Sequence, residues 1–400
     1  MQTSFHKIGL LPPYVFAEVN KLKAEARAEG KDIIDLGMGN PDSAPPAHVI
    51  EKMRETLKDP KAHRYSLSRG IHGLRKAQAG YYKRRFEVDV DPDSEVVVTI
   101  CSKEGLANLA QAITSVGDRF VVPNPSYPIH VWGFVIAGAE VVPVPNSTGD
   151  DFFEAVEAVF NDGGRKPVAI IVSYPCNPTA ERADLAFYQR VVDLCRKYQI
   201  YAISDVAYSE LYYDGVPPPS ILQVEGAKDV AVEFTTMSKT YSMAGWQIGF
   251  AVGNKTLISA LTKIKSYLDY GTFLPIQVAA AAALNGSQDY VEKLRTMYKE
   301  RRDILTEGLI DAGWNVKIPD SSMFVWAEIP EKYKEIGCLE FSKLLLTKAD
   351  VAVAPGIGFG DGGEGFVRMA LVENKHRIRQ AVRNIKQFLA EEPVEKLITA

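Results

Sequence analysis

Cysteine and histidine are scarce in this sequence, and neither is arranged in a ligand pattern. The 400 residues include four cysteines and six histidines. The cysteines, Cys101, Cys176, Cys195 and Cys338, show no CxxC spacing, which excludes a disulfide-stapled scaffold and indicates free thiols in a reducing compartment. No HExxH pair occurs among the histidines, so we expect no dedicated metal site.

Excess positive charge and long apolar runs are lacking as well. The 46 basic and 50 acidic side chains give a formal net charge of −4, so the surface offers no polycationic face for a nucleic acid. No apolar run reaches the ~18 residues that a membrane span needs, and the N-terminal MQTSFHKIGLLPPY lacks signal-peptide features. GxSxG and GxxxxGK[ST] motifs do not occur, which removes the commonest hydrolase and nucleoside-triphosphatase signals. We expect a cytoplasmic protein with neither a nucleic-acid nor a membrane partner.

What the sequence does have is a series of short apolar runs rich in β-branched residues, between about residues 95 and 255. They are EVVVTI, RFVVPN, AEVVPV, PVAIIVSYP, YAISDV, VAVEFTT and IGFAVG. Longer amphipathic stretches separate them, an alternation typical of βαβ units that build a mostly parallel sheet. We therefore predict an α/β fold. A length of 400 residues exceeds the roughly 250–300 that one core usually supports, so we expect two domains.

Two of the amphipathic stretches predict helices that cover this sheet. SKEGLANLAQAIT (102–114) and DLAFYQRVVDLCRKY (184–198) each place apolar side chains on one helical face. The predicted core-facing residues are Leu106, Leu109, Ala110 and Ile113 in the first stretch, and Leu185, Tyr188, Val191 and Cys195 in the second.

The residues after about 275 show a different pattern of predicted helices and strands. A helical region from Ile276 to Ala312 precedes three strand-like runs, NVKIPD, SMFVWAEI and VAVAPG, and a final helix from about Lys375. The first 40 or so residues show no strand pattern of their own. We predict a large domain over residues 40–275 and a small α+β domain built from residues 1–39 and 276–400.

Polar residues follow five of the predicted strands. Ligands bind beyond the carboxyl ends of strands in an open parallel sheet, so these residues are candidates for a site. They are Ser102-Lys103 at the start of a helix, Tyr127, Asn177, Asp205 with Tyr208, and Ser238-Lys239. Taken singly, most have an ordinary structural explanation, such as a helix N-cap, a packed ring, an Asn-Pro turn or a lysine that reaches solvent.

Taken together, the five positions fit one ligand. It is phosphorylated, flat, cationic at one edge and open to attack by an amine, and pyridoxal 5′-phosphate has all of these properties. Each part of this cofactor has a matching residue: the phosphate has Ser102 and Ser238, the ring face Tyr127, the pyridinium nitrogen Asp205, the phenolic oxygen Asn177 and Tyr208, and the aldehyde Lys239.

Seven ordered motifs carry a resemblance to a known family. They are DLGMGNPD (35–42), HRYSLSRGIHGLRKA (63–77), SKEGLANL (102–109), VPNPSYPIH (122–130), SYPCNPTA (173–180), SDVAYSELYYDG (204–215) and MSKTYSMAGWQIGF (237–250). With them, nearly the whole chain resembles the fold-type I, class I/II aminotransferases, in the branch with glutamate-pyruvate (alanine) and LL-diaminopimelate aminotransferases. The resemblance implies a mostly parallel seven-stranded sheet flanked by helices, a smaller α+β domain, and ping-pong transfer of an α-amino group through pyridoxamine phosphate.

The resemblance also implies roles for the residues that face the cofactor. Lys239 is similar to the lysine that forms the Schiff base and then moves the proton between the substrate α-carbon and the cofactor. Asp205 resembles the acid that keeps the ring nitrogen protonated. Asn177 and Tyr208 resemble the pair that hydrogen-bonds the phenolic oxygen, and Tyr127 resembles the stacking aromatic.

Further residues match the phosphate and substrate ligands of the family. Ser102, the backbone N–H of Lys103, and Ser238 resemble phosphate ligands, and Tyr65 would reach the phosphate of the neighbouring subunit in an obligate homodimer. Arg368 is similar to the arginine that binds the substrate α-carboxylate in a bidentate pair. The backbone N–H of Gly39 would bind the same carboxylate, and Tyr14 would line the pocket; Asn177 also counts as a substrate ligand.

The sequence departs from the family pattern at three positions. The family usually has arginine eight residues after the lysine, bound to the cofactor phosphate, where this chain has Gln247. Loss of that charge predicts weaker cofactor binding. The usual glycine before SKEG is Cys101, and NPTG has become NPTA with Ala180, both small changes.

Substrate choice follows less directly from the sequence. The stretch KSYLDYGTFLPIQ (265–277), which approaches the neighbouring site in relatives, contains no arginine for a distal carboxylate. This disfavours a dedicated aspartate aminotransferase and favours alanine/glutamate transamination, with Tyr14 or Tyr270 able to serve glutamate. LL-diaminopimelate or another amino acid, and a β-lyase on the same cofactor, stay open, as does the remote alternative of a non-catalytic protein that binds pyridoxal phosphate.

A nicotinamide dehydrogenase has little support. The lone GxGxxG spacing, Gly358-Gly360-Gly363, follows VAVAP but precedes the strand-like EGFVRMAL rather than a helix. A dinucleotide-binding fingerprint needs a helix there, so we predict a loop.

Overall fold

In the part of the chain that the structure describes, twelve strands form three sheets. This is a computed structural model, and it describes residues 5–13 and 15–390. The strands within the described residues are β1 (Ile34–Asp35), β2 (Val96–Thr99), β3 (Arg119–Asn124), β4 (Glu140–Pro145), β5 (Ala169–Val172), β6 (Tyr201–Asp205), β7 (Ala231–Thr236), β8 (Gly249–Gly253), β9 (Phe324–Glu328), β10 (Val351–Ala352), β11 (Ala354–Pro355) and β12 (Phe366–Ala370).

Seven of these strands form the central sheet, in the order β2-β8-β7-β6-β5-β3-β4. Strand β8 runs antiparallel to β2 and β7, and the other pairs are parallel. Each of the seven apolar runs has become one strand of this sheet. The predicted mostly parallel seven-stranded α/β architecture is therefore confirmed.

Helices cover both faces of the sheet. The helices of the described residues are α1 (His6–Gly9), α2 (Val15–Ala28), α3 (Ala47–Thr56), α4 (His72–Phe86), α5 (Cys101–Ile113), α6 (Pro128–Ala137), α7 (Asp150–Asn161), α8 (Leu185–Tyr198), α9 (Ala227–Val230), α10 (Met237–Thr240), α11 (Lys255–Leu268), α12 (Leu274–Asn285), α13 (Asp289–Asp311), α14 (Gly337–Ala349) and α15 (Lys375–Ala390). None of them is long and apolar enough to cross a membrane.

Alternation along the strands explains why both faces of the sheet are buried. In β2, Val97 packs in a cluster with Leu106 and Leu109 of α5, and its neighbour Val98 packs in a second cluster with Leu74 of α4. Successive strand side chains point to opposite faces, so an uninterrupted apolar run needs a helix layer on each side. Burying each such side chain stabilises the fold by about 1.5–3 kcal/mol.

The structure corrects one core position of the second predicted helix. Tyr188, Val191 and Cys195 are buried in the core, as predicted, but Leu185 is 46% exposed. Leu185 is the first residue of α8, after the N-cap Asp184. Helical side chains lean toward the N-terminus of their helix, so a side chain at the first position projects past the helix end rather than onto the sheet.

The C-terminal part of the chain forms a smaller sheet of three antiparallel strands, β11-β12-β9, which we call the C-terminal sheet. The helical region from Ile276 to Ala312 is two helices, α12 and α13, separated at residues 286–288. SMFVWAEI and VAVAPG contain strands, and the final helix begins at Lys375, as predicted. The domain boundaries at residues 40 and 275 stay predictions.

One predicted strand is absent, and one short strand occurs where the sequence showed no strand pattern. NVKIPD (315–320) is not a strand, because backbone groups at its end are bonded elsewhere. Arg302 donates to the carbonyl oxygen of Pro319, and the N–H of Tyr213 donates to the carbonyl oxygen of Asp320. The first 40 residues do contribute a strand, since β1 pairs in parallel with β10. A strand of two residues is too short to show a periodic pattern.

Candidate active site

The carboxyl ends of β3, β5, β6 and β7 border a cavity of about 500 Å³. Parallel strands end at one edge of their sheet, which brings together residues that are far apart in the chain. Eleven of the residues singled out in the sequence line this cavity: Gly39, Ser102, Lys103, Tyr127, Asn177, Asp205, Tyr208, Ser238, Lys239, Gln247 and Arg368.

Lys239 stands at the centre of this set. It lies in the short helix α10 directly after β7, where the side chain of Thr236 caps the helix by accepting from the N–H of Ser238 at 3.2 Å. The Nζ atom of Lys239 donates to the carbonyl oxygen of Gly39 at 2.6 Å. Burial lowers the pKa of Lys239 to about 8; of the two smaller influences, Cys101 raises this pKa and the positive charge of Arg368 lowers it. This amine is thus neutral in a much larger fraction of molecules than an exposed lysine.

Asp205 ends β6 and is almost fully buried, with two differently placed oxygens. Its Oδ2 atom lies 3.0 Å from Nε2 of His130, which is itself buried. Its Oδ1 atom is buried and makes no hydrogen bond within the described part of the chain. A buried carboxylate oxygen without a donor is costly, so Oδ1 is matched to a ligand that brings an N–H into the cavity.

The start of helix α5 and the start of α10 meet at the cavity, where Cys101 lies close to Ser238. Ser102 and Ser238 are both buried there, and the unpaired N–H groups of the first turn of α5 favour an anion. Cys101 places its Sγ atom 3.6 Å from Oγ1 of Thr236 and 3.8 Å from Oγ of Ser238. Cys101 has a φ of +67°, a left-handed conformation that glycine adopts without strain.

Gln247 lines the same cavity but is turned back on its own segment. Its Nε2 atom donates to the carbonyl oxygen of Ala244 at 2.6 Å, and the residue is exposed. A neutral amide held in this way supplies no positive charge to the anion-binding region at Ser102 and Ser238.

Arg368 projects from β12 of the C-terminal sheet. Its guanidinium donates to Oδ1 of Asn177 at 2.7 Å and to the carbonyl of Gly37 at 3.0 Å. The rings of Phe324 and Phe359 lie 4.1 and 4.7 Å from its Cζ atom. Two aromatic faces and two acceptors hold the planar cation in one orientation, as bidentate binding of a carboxylate requires.

Two tyrosines complete the wall around Asp205. Tyr208 is buried, and this burial raises the pKa of its hydroxyl, so the phenol stays protonated and able to donate. Tyr127 immediately precedes helix α6, and its ring meets that of His130 edge to face, with centroids 6.0 Å apart. The residues around Asp205 thus combine a flat aromatic face with hydrogen-bond donors.

Among the described residues, one predicted site residue, Tyr65, does not line this cavity. Tyr65 is 84% exposed, and its ring lies 4.5 Å from that of Tyr270 on the outer surface. That placement suits a residue predicted to serve a neighbouring subunit. Tyr14 falls outside the described residues.

Sequence reasoning missed several contributors to the site. His130 lies in VPNPSYPIH, three residues after Tyr127 and near the start of α6, and its place shortly after a predicted strand was the available signal. Phe16 belongs to α2, and Phe324 and Phe359 belong to the C-terminal part; all three line the cavity. No local pattern marks them, because only the tertiary fold brings them to the sheet edge.

The residues present fit pyridoxal phosphate. Oδ1 of Asp205 lacks a donor that a protonated ring nitrogen would supply, and the buried amine of Lys239 suits an aldehyde. Ser102, at the start of α5, and Ser238, at the start of α10, suit the phosphate. The mostly parallel seven-stranded sheet and this set of residues define a fold-type I enzyme that depends on pyridoxal phosphate.

Comparison with known proteins gives the family. Residues 31–385 match the family described as aminotransferase class I and II. The chain is 54% identical to the glutamate-pyruvate aminotransferase AlaC of Escherichia coli (strain K12) over 96% of this chain and 93% of that one. It is 42% identical to the LL-diaminopimelate aminotransferase of Moorella thermoacetica over 96% of this chain and 97% of that one.

A solved structure agrees with this result. Substrate-bound BacF from Bacillus subtilis superposes with a TM-score of 0.91 at 34% identity, covering 97% of this chain and 98% of that one. The chain belongs to the class I and II aminotransferases, and it is a pyridoxal-phosphate-dependent aminotransferase.

Proposed function

We propose that this enzyme moves the α-amino group of L-alanine to 2-oxoglutarate, giving pyruvate and glutamate in a ping-pong reaction. We further propose that it works as a cytoplasmic homodimer. The observation that carries the proposal is that three groups line one cavity: the amine of Lys239, the carboxylate of Asp205 and the guanidinium of Arg368. The Oδ1 atom of Asp205 accepts no hydrogen bond within the described residues. The 54% identity to AlaC supports the choice of alanine and glutamate.

The division of labour between these residues follows from their positions. The cofactor, when bound, withdraws electrons from the substrate α-carbon. The amine of Lys239, freed from the cofactor, takes the α-proton and returns it, and its pKa of about 8 keeps a useful fraction neutral near neutral pH. Asp205 would hold the protonated ring nitrogen through Oδ1, while His130 binds its other oxygen.

Arg368 fixes the orientation of the substrate. A carboxylate bound to its guanidinium competes with the Asn177 and Gly37 oxygens that now accept from it. Because Phe324 and Phe359 stack on the cation, the guanidinium keeps its plane when these partners change. The α-carbon is thereby held between Arg368 and Lys239.

The rest of the cavity wall favours a small or flexible substrate side chain. Phe16, Met38 and Phe324 give it an apolar surface, which suits the methyl group of alanine. Lys103 also lines the cavity and is exposed, so it adds positive charge that suits the second carboxylate of glutamate.

The homodimer is supported by an exposed apolar surface. Exposed side chains cluster in two segments that contact each other: Ser68 Oγ donates to the carbonyl of Asp269 at 2.6 Å. The exposed apolar residues of this surface are Tyr65, Leu67, Tyr267, Leu268, Tyr270 and Phe273. So many exposed aromatic rings are typical of a surface that a partner covers, and we propose a second copy of this chain.

The substrate assignment is tested by a comparison of donors. The purified holoenzyme is given L-alanine, L-glutamate, L-aspartate and LL-diaminopimelate in turn, each with a suitable 2-oxo acid, and kcat/KM is measured. We expect alanine and glutamate to rank first. A higher value for LL-diaminopimelate or aspartate would overturn the assignment, and elimination products instead of amino transfer would identify a β-lyase.

A further inference from the structure

The GxGxxG spacing that failed as a dinucleotide fingerprint has a place in this structure that the proposed chemistry does not use. Residues 355–365, PGIGFGDGGEG, join β11 to β12, and we call them the glycine loop. The loop folds as two consecutive 3-10 turns, Gly356–Phe359 and Asp361–Gly363.

The base of the glycine loop is fixed to the C-terminal part of the chain. The carboxylate of Glu364 accepts from the backbone N–H of Cys338 at 2.7 Å and from that of Gly365 at 2.9 Å. Sγ of Cys338 accepts from the N–H of Ile357 at 3.3 Å. The loop is therefore anchored at both ends rather than hanging free.

The tip of the loop rests on the end of β3 in the central sheet. The N–H of Gly362 donates to Oδ1 of Asn124 at 3.2 Å, and the N–H of Ser126 donates to the carbonyl of Phe359 at 2.8 Å. A Cβ atom added to Gly360 would lie 2.3 Å from Oδ1 of Asn124, and one added to Gly362 would lie 2.9 Å from its backbone oxygen. Asn124 thus fits against two positions where only glycine leaves room.

This contact joins the two halves of the site. Phe359, inside the loop, stacks 4.7 Å from the guanidinium carbon of Arg368. Tyr127 follows Asn124 by three residues and faces the same cavity from the central sheet. The separation between the group that binds the substrate carboxylate and the face that meets the cofactor is therefore set in part where Asn124 meets the glycine loop.

We propose that Asn124 is a positioning residue for substrate binding, acting through Phe359 on Arg368. Asn124 is not among the residues that line the cavity, so it does not touch the substrate. When the hydrogen bond between Gly362 and Asn124 is lost, the glycine loop shifts and Phe359 no longer holds the guanidinium of Arg368 at the correct distance from the central sheet. The substrate carboxylate then binds less well. The inference rests on the proposed role of Arg368 but not on which amino acid is the donor.

The test compares three variants in the full-length holoenzyme. Asn124→Leu removes the acceptor at nearly constant size, Asn124→Asp keeps an acceptor, and Gly362→Ala inserts the excluded methyl group from the other side. Asn161→Leu, at an exposed site, and Gly73→Ala, where an added Cβ meets nothing within 4 Å, are matched controls. KM and kcat are measured with whichever amino acid proves most reactive, together with the melting temperature.

We expect Asn124→Leu and Gly362→Ala to raise KM by about three- to tenfold, the range for one lost hydrogen bond, with kcat within about twofold of wild type. Asn124→Asp, which keeps the acceptor, should have a KM within about twofold of the wild-type value. Binding of 2-aminoisobutyrate, which has the carboxylate but no α-hydrogen, should weaken by the same factor when followed by the visible absorbance of the cofactor.

Two results would overturn the inference. One is unchanged KM and unchanged 2-aminoisobutyrate binding in both disruptive variants, even if their melting temperature falls. The other is an equal loss in Asn124→Leu and Asn124→Asp. Should Asn124→Leu fail to fold, Gly362→Ala provides the test, and unchanged KM and unchanged 2-aminoisobutyrate binding in that variant would overturn the inference. An inactive wild-type enzyme with alanine would contradict the proposed substrate, and the 2-aminoisobutyrate measurement would still report on Asn124.

Discussion

His130 and Asp205 form a buried pair in which Nε2 of the imidazole lies 3.0 Å from Oδ2 of the carboxylate. The two side chains are 1% and 5% exposed as whole residues. The pair leaves Oδ1 of Asp205 as the one oxygen of this carboxylate free for the cofactor. His130 therefore determines which way the carboxylate faces; it does not itself line the cavity, and it contacts the site through Asp205 and through the ring of Tyr127.

Replacing His130 should slow the reaction without abolishing cofactor binding. His130→Phe keeps the ring volume and removes the hydrogen bond to Asp205, so we expect kcat to fall about 10- to 100-fold, the range for a hydrogen bond to a charged group. Steady-state kinetics and the absorbance of bound cofactor measure the two effects. His376→Phe, at an exposed position of α15, is the control and should behave as wild type. An unchanged kcat in His130→Phe would show that Asp205 needs no such orientation.

The pKa of Lys239 predicts a pH dependence for loading the apo-protein. Only the neutral amine attacks the aldehyde, and burial lowers the pKa of Lys239 to about 8. The rate of covalent capture should therefore rise about tenfold per pH unit below that value and level off above it. Stopped-flow absorbance with pyridoxal phosphate at pH 6 to 10 measures the profile, with Lys239→Arg as the blank. A rate that keeps rising to pH 10 would contradict a lowered pKa.

Gln247→Arg should tighten cofactor binding. The arginine would bring a charged donor to the end of the cavity where Ser102 and Ser238 lie, in place of an amide bonded to Ala244. A hydrogen bond to a charged group contributes about 1.5–3 kcal/mol, so the Kd should fall roughly 10- to 100-fold. Titration of apo-protein with pyridoxal phosphate measures it, and Gln247→Met should bind as wild type. Equal affinities for wild type and Gln247→Arg would refute the account of this position.

Mixing two inactive variants should restore activity if Tyr65 serves the neighbouring subunit. Lys239→Ala removes the amine, and Tyr65→Ala removes a side chain that lies outside its own cavity. In a mixed dimer, the subunit with Lys239 would receive Tyr65 from its partner, which rebuilds one complete site. Co-expression with separate tags should give about a quarter of the wild-type activity, because half of the dimers are mixed and each has one good site. Activity no greater than the sum of the separate variants would argue against shared sites.

The sequence could predict the site residues that lie next to a strand, but not those that only the tertiary fold brings to the cavity. Ser102, Asp205 and Lys239 were identifiable because each directly follows an apolar run, and strand ends converge in a parallel sheet. Phe16 and Phe359 reach the same cavity from α2 and the glycine loop, hundreds of residues apart, with no periodic signal.

The segment NVKIPD, which was predicted as a strand and is not one, also shows that a local sequence pattern does not reveal tertiary contacts. NVKIPD has the composition of a strand, yet Arg302 and Tyr213, distant in the chain, take up backbone groups at its end. Strand formation needs a neighbouring edge, and the segment alone does not show whether one is available.

The central claim is that this chain transfers an amino group from alanine to its own cofactor before any acceptor is present. The most direct measurement is a single turnover: holoenzyme is mixed with excess L-alanine and no 2-oxo acid, and pyruvate is quantified against subunits. The account predicts about one pyruvate per subunit, with pyridoxamine phosphate on the protein, and renewed turnover when 2-oxoglutarate is added. No pyruvate, or pyruvate released continuously with ammonia and no acceptor, would contradict it.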